Sequence, residues 1–418
     1  MANQQNDYVW ALAGAGTRRW GLLDRHQAPP NSAAALAKHK AIELRTFRLD
    51  DRGMDHSAGA ILQALQADVA RGKAAVGWIG YEVGAALESV SSHGEPHLPD
   101  AAWWTCDPAA IEIVPLPAVA EPTGRRLPPQ LHRQRSRYVA TVRDLVERIA
   151  AGEVYQVNLT VAAKLPVTRR AQPLEMVSAL TAAQPVPLAW AMSLDGGEGA
   201  EYINQYPNVT VGCGSMERFL RVQGDRVSTR PIKGTAKRNA NPDRDAQLAA
   251  QLQTSPKERA ENTMIVDMAR NDLQRACRPL TVTVDELLST QAYETLWHLE
   301  SEVSGQLRSG SLADLLQATL PPASVTGCPK VQAMRVIAQL ERRRREVYCG
   351  TVFCALPDGT ADFAVAIRTL VLDAATARIA VGSGIVADSV PAAEWRETCR
   401  KAQSGLRALA CLQDPQNA

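Results

Sequence analysis

The positions of apolar residues along the chain predict an alternation of strands and helices. Residues 74–81, with the sequence AAVGWIGY, are almost continuously apolar, which indicates a buried strand bounded by turn residues. Apolar residues then recur at helical spacing from Tyr138 to Ile149, and Gly152 is placed to end that helix. Residues 154–160 follow as a second strand-like segment. No segment recurs at a fixed period, so the sequence does not have the pattern of a repeat protein.

The second half of the chain combines paired strands with separate helices. Strand-like segments joined by turn residues lie at 347–356, 364–372 and 378–382. Helical spacing is found at 256–274, 311–319, 329–344 and 391–410. Antiparallel strand pairs with helices set apart from them indicate the α+β class and not a doubly wound parallel sheet.

A proline-rich and basic stretch at residues 115–137 separates the first part of the chain from the rest. This composition is typical of a linker or a long connection. We therefore divide the sequence into an N-terminal region, 1–120, and a second region, 121–418. The motifs that carry chemistry lie in the second region.

The charge balance narrows the class of partner. Of the 418 residues, 45% are hydrophobic, and 46 Lys and Arg against 44 Asp and Glu leave a formal charge of +2. This surplus is too small to favour nucleic acid or a membrane surface, so we expect a small-molecule ligand.

The cysteines and the apolar runs bear on location. The eight cysteines form no Cys-x-x-Cys pair, which favours reduced thiols in a cytosolic protein. The first residues lack the basic and apolar segments of a secretion signal, and we find no apolar run long enough to span a bilayer. We expect a cytoplasmic location.

Residues 230–235, Arg-Pro-Ile-Lys-Gly-Thr, hold a single lysine, Lys233, between proline and glycine. A lysine fixed in such a loop can serve as a nucleophile. Two Glu-x-x-Glu pairs, Glu258/Glu261 and Glu394/Glu397, lie in predicted helices, where each pair shares one face. Facing carboxylate pairs suit a hard divalent cation such as Mg²⁺. Taken alone, either pair is more often part of a solvated helix surface, and that alternative stays open here.

Four further features have both a functional and a structural interpretation. His298 shares a strand face with Glu300 and is either a general acid or base or a structural histidine. Residues 326–330, TGCPK, open a helix whose free amides can bind a carboxylate, as can any capped helix. Gly382-Ser383-Gly384 lets the backbone approach a ligand or simply forms a turn. We interpret residues 342–345, four arginines at a helix end, as a solvated face and not as a nucleic-acid site.

Taken in order, these segments resemble the chorismate-utilising enzymes, the family of anthranilate synthase large subunits, isochorismate and salicylate synthases and aminodeoxychorismate synthase component I. The similarity covers about residues 135–410. The segments that carry it, besides the Lys233 loop, are YQVNL at 155–159, ERFL at 217–220, MIVD at 264–267 with RND at 270–272, TG at 326–327, IRT at 367–369 and GIVADS at 384–389.

The resemblance implies a fold and a domain organisation. The expected fold is the α+β, two-layer fold of anthranilate synthase component I, with large antiparallel β-sheets packed against and flanked by helices. Residues 121–418 would be the chorismate-binding catalytic domain. Residues 1–120 are similar to the family only at 77–82, GWIGYE, and would contribute to the same α/β sandwich.

The resemblance also assigns roles to matched residues. Glu261 and Glu397 would bind Mg²⁺, with Glu258 and Glu394 supporting it through water or acting on the departing hydroxyl. The substrate residues would be Arg368 and Tyr348 at the enolpyruvyl carboxylate, Gly382, Ser383, Gly384 and Thr326 on the ring side, His298 beside ring carbon 4, and Gln156 and Lys401. Chorismate is a dicarboxylate, and a guanidinium fork with a bound cation matches its charge.

Two positions separate the reactions of the family. Lys233 resembles the aminodeoxychorismate synthases, whereas anthranilate synthases have alanine there. Gln156 stands where isochorismate-type enzymes have a lysine that activates water. Both residues favour amination at ring carbon 4, in which neutral Lys233 adds at ring carbon 2 as the carbon 4 hydroxyl leaves, and ammonia then adds at carbon 4 and expels the lysine.

The sequence departs from the family pattern at Met216, Glu300, Pro322 and Cys328, and Glu300 adds a charge near His298. No Gly-x-Cys-x-Gly turn with a downstream His-x-Glu is present, so a separate glutamine amidotransferase subunit is implied as the ammonia source. We expect conversion of chorismate and ammonia to 4-amino-4-deoxychorismate, towards 4-aminobenzoate and folate or a specialised metabolite. The alternatives are an anthranilate synthase large subunit, which would release pyruvate, and a binding subunit without turnover.

Overall fold

The computed structural model describes residues 8–13, 33–38, 42–49, 57–121, 127–184, 186–194, 209–293 and 296–413. The start of the chain, residues 1–7, and part of the proline-rich stretch, residues 122–126, lie outside the described residues. The described strands, in chain order, are β1 (Tyr8–Ala13), β2 (Ala33–Lys38), β3 (Ile42–Phe47), β4 (Ala74–Ile79), β5 (Ala101–Cys106), β6 (Ile111–Pro115), β7 (Gln156–Pro166), β8 (Leu188–Ser193), β9 (Thr210–Ser215), β10 (Arg218–Gln223), β11 (Arg226–Arg230), β12 (Ile232–Lys237), β13 (Thr283–Ala292), β14 (Leu296–Gln306), β15 (Gly327–Cys328), β16 (Thr351–Ala355), β17 (Thr360–Val365), β18 (Thr369–Leu372) and β19 (Thr376–Ile385).

The α-helices are distributed along the whole described chain. They are α1 (Ala58–Ala70), α2 (Tyr81–Leu87), α3 (Pro129–His132), α4 (Arg135–Ala150), α5 (Pro173–Ala183), α6 (Pro242–Thr254), α7 (Pro256–Ala276), α8 (Leu312–Thr319), α9 (Lys330–Glu341) and α10 (Pro391–Leu412). Short 3₁₀ turns lie at Pro108–Ala110 and Ala323–Val325. Among the described helices, none is long and apolar enough to cross a membrane.

The strands form two large antiparallel sheets. One has nine strands in the order β15-β7-β19-β18-β9-β8-β1-β2-β6. The other has ten, in the order β12-β14-β11-β10-β17-β16-β4-β5-β3, with β13 paired to β14 outside that path. Strands from before residue 121 and strands from after it lie in both sheets.

The two sheets face each other through tryptophans. Trp78 of β4 and Trp104 of β5 belong to the same buried cluster as Trp190 of β8, which lies in the other sheet. The rings of Trp78 and Trp190 meet edge to face with centroids 6.1 Å apart. Truncating one such buried ring to alanine typically costs about 3–5 kcal/mol, so this layer fixes how the sheets are stacked.

Helices cover the outer face of each sheet. Neighbouring residues of a strand point to opposite faces, so Trp104 points inward and Trp103 points outward. Trp103 belongs to a buried cluster with apolar residues of α1, α7 and α8. Residues of α4, α5 and α10 pack in the same way on the outer face of the nine-stranded sheet, among them Tyr138, Met176 and Leu406. The predicted α+β fold, with large antiparallel sheets flanked by helices, is confirmed.

The local end signals of two helices are seen directly. Helix α7 begins after Ser255, whose hydroxyl accepts a hydrogen bond from the Glu258 amide, and Pro256 occupies its first turn. In α10, Val390 is the N-cap residue and Pro391 again begins the helix. Gly152, which we expected at the end of α4, has the positive φ of 79° that favours glycine.

The predicted strand 364–372 is wrong in one respect, because the chain breaks there into β17 and β18. β17 lies in the ten-stranded sheet and β18 in the nine-stranded sheet, so residues 366–368 carry the chain from one to the other. Arg368 makes the turn with a φ of 55°. The break is hidden in the sequence because Ala366 is buried between the sheets and prolongs the apolar run.

The interpretation of residues 342–345 as a solvated face is correct for Arg342, which is exposed, but wrong for Arg345, and Arg343 and Arg344 are only partly exposed. Arg345 is buried and donates two hydrogen bonds to Glu341, at 3.1 and 2.7 Å. Arg343 lies 3.4 Å from Glu341, and Arg344 forms an ion pair with Asp100. The fold supplies these arginines with acidic partners, such as Asp100, from distant parts of the chain. The spacing of residues in the sequence does not show such partners.

Candidate active site

The candidate site lies where the edges of the two sheets meet. β12 and β14 form one edge of the ten-stranded sheet, and β15 and β7 form one edge of the other, with β19 next to them. Helices α7 and α10 bring the two glutamate pairs to this place. Most of the predicted site residues are therefore collected from distant parts of the chain.

Lys233 reaches across from β12 to β19 and β7. A Cβ atom built on Gly384 would lie 3.4 Å from Lys233 Nζ and 3.4 Å from Gln156 Nε2. The lysine amine and the glutamine amide thus share the space that a side chain at position 384 would fill. The structure thus brings together Lys233 and Gln156, the two residues on which the predicted amination depends, beside Gly384.

Gln156 has an unusual environment for an amide. Its side chain is fully buried, yet neither Oε1 nor Nε2 has a hydrogen-bond partner among the described residues. Leaving a buried amide unpaired costs roughly 1–3 kcal/mol for each polar group. A polar ligand that paired with Gln156 would recover this cost, which supports a binding role for the residue.

The Lys233 loop turns tightly beside Glu258. Gly234 has a φ of 90°, and a Cβ atom there would lie 3.0 Å from Glu258 Oε2. Only glycine accommodates both the backbone conformation and the close carboxylate. The Pro-Ile-Lys-Gly-Thr pattern therefore sets the position of Lys233 relative to α7.

Three of the four glutamates form an electrostatically coupled group. Burial, and then the charge of Glu261, raise the pKa of Glu258, and Glu397 adds to this rise. Burial by itself would raise the pKa of Glu397, but the Lys401 ammonium, 2.7 Å away, holds that pKa below its usual range. Burial lowers the pKa of Lys401, and Glu397 opposes this shift.

The chemistry of this group fits a hard cation, because its donors are carboxylate oxygens. In the described residues, no three acidic, histidine or cysteine side chains are drawn together closely enough to hold a metal ion as they stand. Lys257 Nζ lies 3.8 Å from Glu261, and Lys401 Nζ forms an ion pair with Glu397 at 2.7 Å. These ammonium groups neutralise part of the negative charge of the carboxylates. The assignment of Mg²⁺ to Glu258, Glu261 and Glu397 stays a prediction.

Glu394 has contacts of a different kind. Its two carboxylate oxygens accept hydrogen bonds from Ser383 and Ser389, each at 2.8 Å. Ser383 also contacts the Tyr138 hydroxyl at 2.8 Å, and Thr398 donates to that hydroxyl at 3.0 Å. Both Ser383 and Glu394 are thus engaged in a buried network between β19, α4 and α10. Their predicted substrate and metal roles stay predictions, and the contacts seen are those of a support for the site.

The ring-side residues divide into two groups. A Cβ atom on Gly382 would lie 2.2 Å from the Leu159 carbonyl oxygen, so glycine is required there by the neighbouring strand β7. The Thr326 hydroxyl donates to the Ala323 carbonyl at 3.0 Å and serves its own turn. Gly384 is the member of the predicted set whose open side faces Lys233. The substrate contacts predicted for Gly382 and Thr326 stay predictions.

His298 is buried at the same place, with only 2% of its surface exposed. Neither ring nitrogen has a hydrogen-bond partner in the described part of the chain. Burial, and then the positive charge of Arg368, lower the pKa of His298 to about 4. The imidazole is therefore neutral near pH 7 and presents one donor and one acceptor nitrogen.

Arg368 and Tyr348 interact with each other. Burial lowers the pKa of Arg368, and burial raises the pKa of Tyr348, while the charge of Arg368 opposes the latter shift. Arg368 donates to the Lys401 carbonyl oxygen and, at 3.2 Å, to the Ser404 hydroxyl, both on α10. These bonds fix one guanidinium nitrogen, and the charge of Arg368 acts on both Tyr348 and His298.

Glu217 lies near the candidate site, although no single motif of the sequence indicated it. It lies in the turn between β9 and β10, and burial raises its pKa to about 7, while the Ser324 hydroxyl and the Lys233 charge lower it. It lines a small, partly open pocket together with apolar residues such as Phe219 and Ile265. A carboxylate set within the apolar run around residues 211–222 was the available signal, although such a residue alone is not specific.

Comparison with known proteins places this geometry in a family. Residues 23–407 match the profile of a family described as chorismate binding enzyme. Anthranilate synthase component 1 of Streptomyces coelicolor is 39% identical over 264 residues, which is 63% of this chain and 49% of that protein. Anthranilate synthase component 1 of Thermus thermophilus is 37% identical over 297 residues, which is 71% of this chain and 61% of that protein. The chain thus spans about half to three fifths of the length of these relatives.

Solved structures share the fold. Anthranilate synthase component I of Streptococcus pneumoniae superposes with a TM-score of 0.72 at 23% identity, covering 91% of this chain and 93% of that one. A 2,3-dihydroxybenzoate-specific isochorismate synthase of Bacillus anthracis superposes with a TM-score of 0.71 at 21% identity, covering 98% of each chain. At these identities the likeness concerns the fold. The family match extends over nearly the whole chain, and the protein therefore belongs to the chorismate-binding enzyme family.

Proposed function

We propose that this chain aminates chorismate at ring carbon 4 and forms 4-amino-4-deoxychorismate. The observation that supports this proposal best is the place of Lys233, whose amine lies beside Gly384 and Gln156. A nucleophile at this position can form a covalent intermediate, which divides the difficult substitution by ammonia into two easier steps.

The covalent route balances in two steps. Neutral Lys233 Nζ adds to ring carbon 2, both ring double bonds shift by one position, and the carbon 4 hydroxyl leaves with the proton lost from the lysine nitrogen, as water. Ammonia then adds to carbon 4, both double bonds shift back, and the lysine departs with the proton that ammonia loses. The sum is chorismate and ammonia giving 4-amino-4-deoxychorismate and water, with no oxidant or reductant.

The other residues have the chemistry to hold and orient this substrate. Arg368 and Tyr348 would bind a carboxylate through charge and a hydroxyl, since a guanidinium hydrogen-bonds carboxylate oxygens in pairs. Gln156 and His298 would form hydrogen bonds to polar groups of the substrate ring, because their own polar atoms have no partner among the described residues. Glu217, whose pKa of about 7 suits proton exchange near neutral pH, would take the proton that Lys233 must lose before it attacks.

Glu258, Glu261 and Glu397 would hold Mg²⁺, with Glu394 in support. Bound there, the cation would supply positive charge against the second carboxylate of the substrate. Lys401 would then exchange its contact with Glu397 for one with the substrate carboxylate. This is how an ammonium that now neutralises Glu397 could take up its predicted substrate role.

Ammonia would come from a separate glutamine amidotransferase, because no glutaminase motif was found in this sequence. The product would lead to 4-aminobenzoate and folate or to a specialised metabolite. With ammonium salts at alkaline pH the chain alone should turn over chorismate, whereas glutamine alone should be a poor nitrogen source.

The second candidate is formation of anthranilate, which the names of the relatives favour. In that reaction the nitrogen adds at ring carbon 2 and pyruvate is eliminated. Lys233 would then occupy the place needed by ammonia, so it would hinder the reaction. The two candidates differ in product mass and in pyruvate release.

The deciding experiment incubates the pure protein with chorismate, Mg²⁺ and an ammonium salt and identifies the product by mass. We expect 4-amino-4-deoxychorismate without pyruvate. Lys233→Ala should reduce amination at carbon 4 by about two or more orders of magnitude, and residual product should shift towards anthranilate. Lys237→Ala is the matched control, because Lys237 is an exposed lysine on the same strand.

Trapping without ammonia tests the covalent step itself. Chorismate and Mg²⁺ alone should add mass to the peptide that contains Lys233, and this adduct should be absent in Lys233→Ala. Wild-type rates of 4-amino-4-deoxychorismate formation by Lys233→Ala would overturn the nucleophile assignment. Pyruvate and anthranilate as the main wild-type products would establish the second candidate.

A further inference from the structure

Tyr293 links Glu300 to His298 through two direct contacts. Its hydroxyl donates a hydrogen bond to Glu300 Oε1 at 2.5 Å. Its ring meets the His298 ring edge to face, with centroids 5.0 Å apart and an interplanar angle of 87°. Tyr293 lies at the end of β13, and the other two residues lie on β14, two positions apart on the same strand face.

Glu300 is itself held from a second side. Its side chain is almost completely buried, and its Oε2 lies 4.0 Å from Arg230 Nη1. Arg230 in turn forms an ion pair with Glu302. Because both oxygens of Glu300 face protein groups, the carboxylate is a fixed acceptor for the Tyr293 hydroxyl.

The Tyr293 ring is not enclosed on every side. A small, partly open pocket lies beside it, lined by Met216, Arg218 and Ile232 as well as by Tyr293 and Glu300. Aromatic χ2 torsions have broad minima, so a ring next to open space is poorly fixed by torsion alone. The hydroxyl contact to Glu300 therefore helps to select one orientation of the ring.

His298 needs an orienting contact of this kind. In the described part of the chain no hydrogen bond fixes either of its ring nitrogens, so packing must determine which way the imidazole faces. The Tyr293 ring packs against it at right angles, with the centroids 5.0 Å apart. A catalytic or binding imidazole that is turned by a small angle loses its alignment with the reacting atoms, and misplacement of about 1 Å can cost 10²-fold in rate.

We propose that Tyr293 and Glu300 are positioning residues that hold the His298 ring in the orientation required by the substrate. This inference rests on the proposed function only in that His298 faces chorismate. It concerns residues for which the sequence comparison implied no role, and Glu300 is one of the positions at which this chain departs from the family pattern, with valine expected there. The alternative is that the Tyr293–Glu300 contact merely ties the ends of β13 and β14 together.

A double-mutant cycle separates the two roles. Tyr293→Phe keeps the ring but removes the hydroxyl, and we expect kcat for chorismate consumption to fall about tenfold with KM little changed. The same substitution in a His298→Gln background should have almost no further effect, because its target is gone. Full additivity of the two losses would overturn the proposal.

Glu300 variants test the other half of the chain of contacts. Glu300→Gln keeps a side-chain acceptor oxygen and should retain kcat within about threefold. Glu300→Val removes the acceptor and should behave like Tyr293→Phe, and the Tyr293→Phe/Glu300→Val double variant should be no worse than either single one. Ser304→Ala is the matched control, because it removes a 2.6 Å hydroxyl–carboxylate bond between β13 and β14, to Asp285, on the same strand as His298.

A readout independent of turnover completes the test. Imidazole NMR signals, assigned to His298 by their loss in His298→Gln, should shift or broaden in Tyr293→Phe and Glu300→Val but not in Ser304→Ala. Unchanged His298 signals in folded Tyr293→Phe would overturn the proposal. Coupling is measured on chorismate consumed, whatever the product, so a wild-type protein that makes anthranilate would refute the proposed function without touching this inference. If wild-type protein consumed no chorismate, the NMR comparison alone would decide.

Discussion

Burial raises the pKa of Glu217 to about 7, and the Ser324 hydroxyl and the positive charge of Lys233 keep it from rising further. Glu217 lies in the turn between β9 and β10, and Lys233 lies on β12. A carboxyl group with this pKa exchanges protons with a neighbour near neutral pH. The pair therefore gives the proposed covalent route a proton acceptor as well as a nucleophile.

The first prediction concerns the pH dependence of activity. If ionised Glu217 accepts the Lys233 proton, kcat/KM should rise as the pH is raised through about 7. Glu217→Gln should lose this limb and about 10²–10⁴-fold in rate, because a general base typically contributes that much. Steady-state kinetics between pH 5.5 and 8.5 measure both effects. A limb that persists in Glu217→Gln would assign it to another group, and Glu147→Gln on the exposed face of α4 serves as the control.

The second prediction compares two glycines of β19. In Gly384→Ala the methyl group meets Lys233 Nζ and Gln156 Nε2 at 3.4 Å, an ordinary contact, so stability should change little. The methyl group would nevertheless occupy the substrate space, and we expect KM for chorismate to rise about tenfold or more. In Gly382→Ala the methyl group would meet the Leu159 carbonyl at 2.2 Å, so the free energy of unfolding should fall by about 1–3 kcal/mol. Urea denaturation and chorismate titration of both variants check this; equal stability losses would contradict it.

The third prediction concerns the cation. Removing Mg²⁺ with a chelator should stop turnover, because clustered carboxylates would then face a dicarboxylate substrate. Glu261→Gln and Glu397→Gln should weaken the response to Mg²⁺ by about one to two orders of magnitude. Calorimetric Mg²⁺ titration gives a measure that does not depend on activity, again with Glu147→Gln as control. Full activity in excess chelator would refute the metal site.

The fourth prediction concerns stability and pH. Burial and Arg368 lower the pKa of His298 from an ordinary 6.5 to about 4, so the unfolded chain binds the proton more readily than the folded one. The stability associated with neutral His298 is present above pH 6.5 and is lost as the pH falls towards 4, at up to about 1.4 kcal/mol for each pH unit. His298→Gln should therefore show a shallower loss of stability over this range in urea denaturation. His132→Gln, at an exposed position, should match the wild-type slope; a wild-type slope in His298→Gln would show that His298 is not buried as described.

Much of the fold was predictable because its signals are local. Ser255 and Pro256 mark the start of α7, and Gly152 follows the end of α4, each within a few residues of the element it bounds. Apolar segments bounded by turn residues predicted β4, β7 and β19 and the segment that contains β16. The α+β class follows from these elements because paired strands and separate helices leave few other arrangements.

The features that were predicted wrongly or missed depend on residues far apart in the chain. Arg345 was expected in solvent, but it is buried with Glu341 and donates to the Asn158 and Val325 carbonyl oxygens. Arg368 was placed within a strand, but it turns the chain between sheets. In the sequence, Glu217 is one glutamate among many. Its burial and the effect of the Lys233 charge on its pKa arise only in the folded protein.

The sequence by itself determined α4, α7 to α10 and several strands, the Lys233 loop and the two glutamate pairs, because capping, periodicity and backbone preference act over a few residues. The tertiary structure alone decided that Lys233 meets Gly384 and Gln156, that Glu394 binds serine hydroxyls, and that Tyr293 packs on His298. Burial, hydrogen bonding and pKa are set by what surrounds a group in space. Those surroundings come from strands and helices that are tens to hundreds of residues apart in the chain.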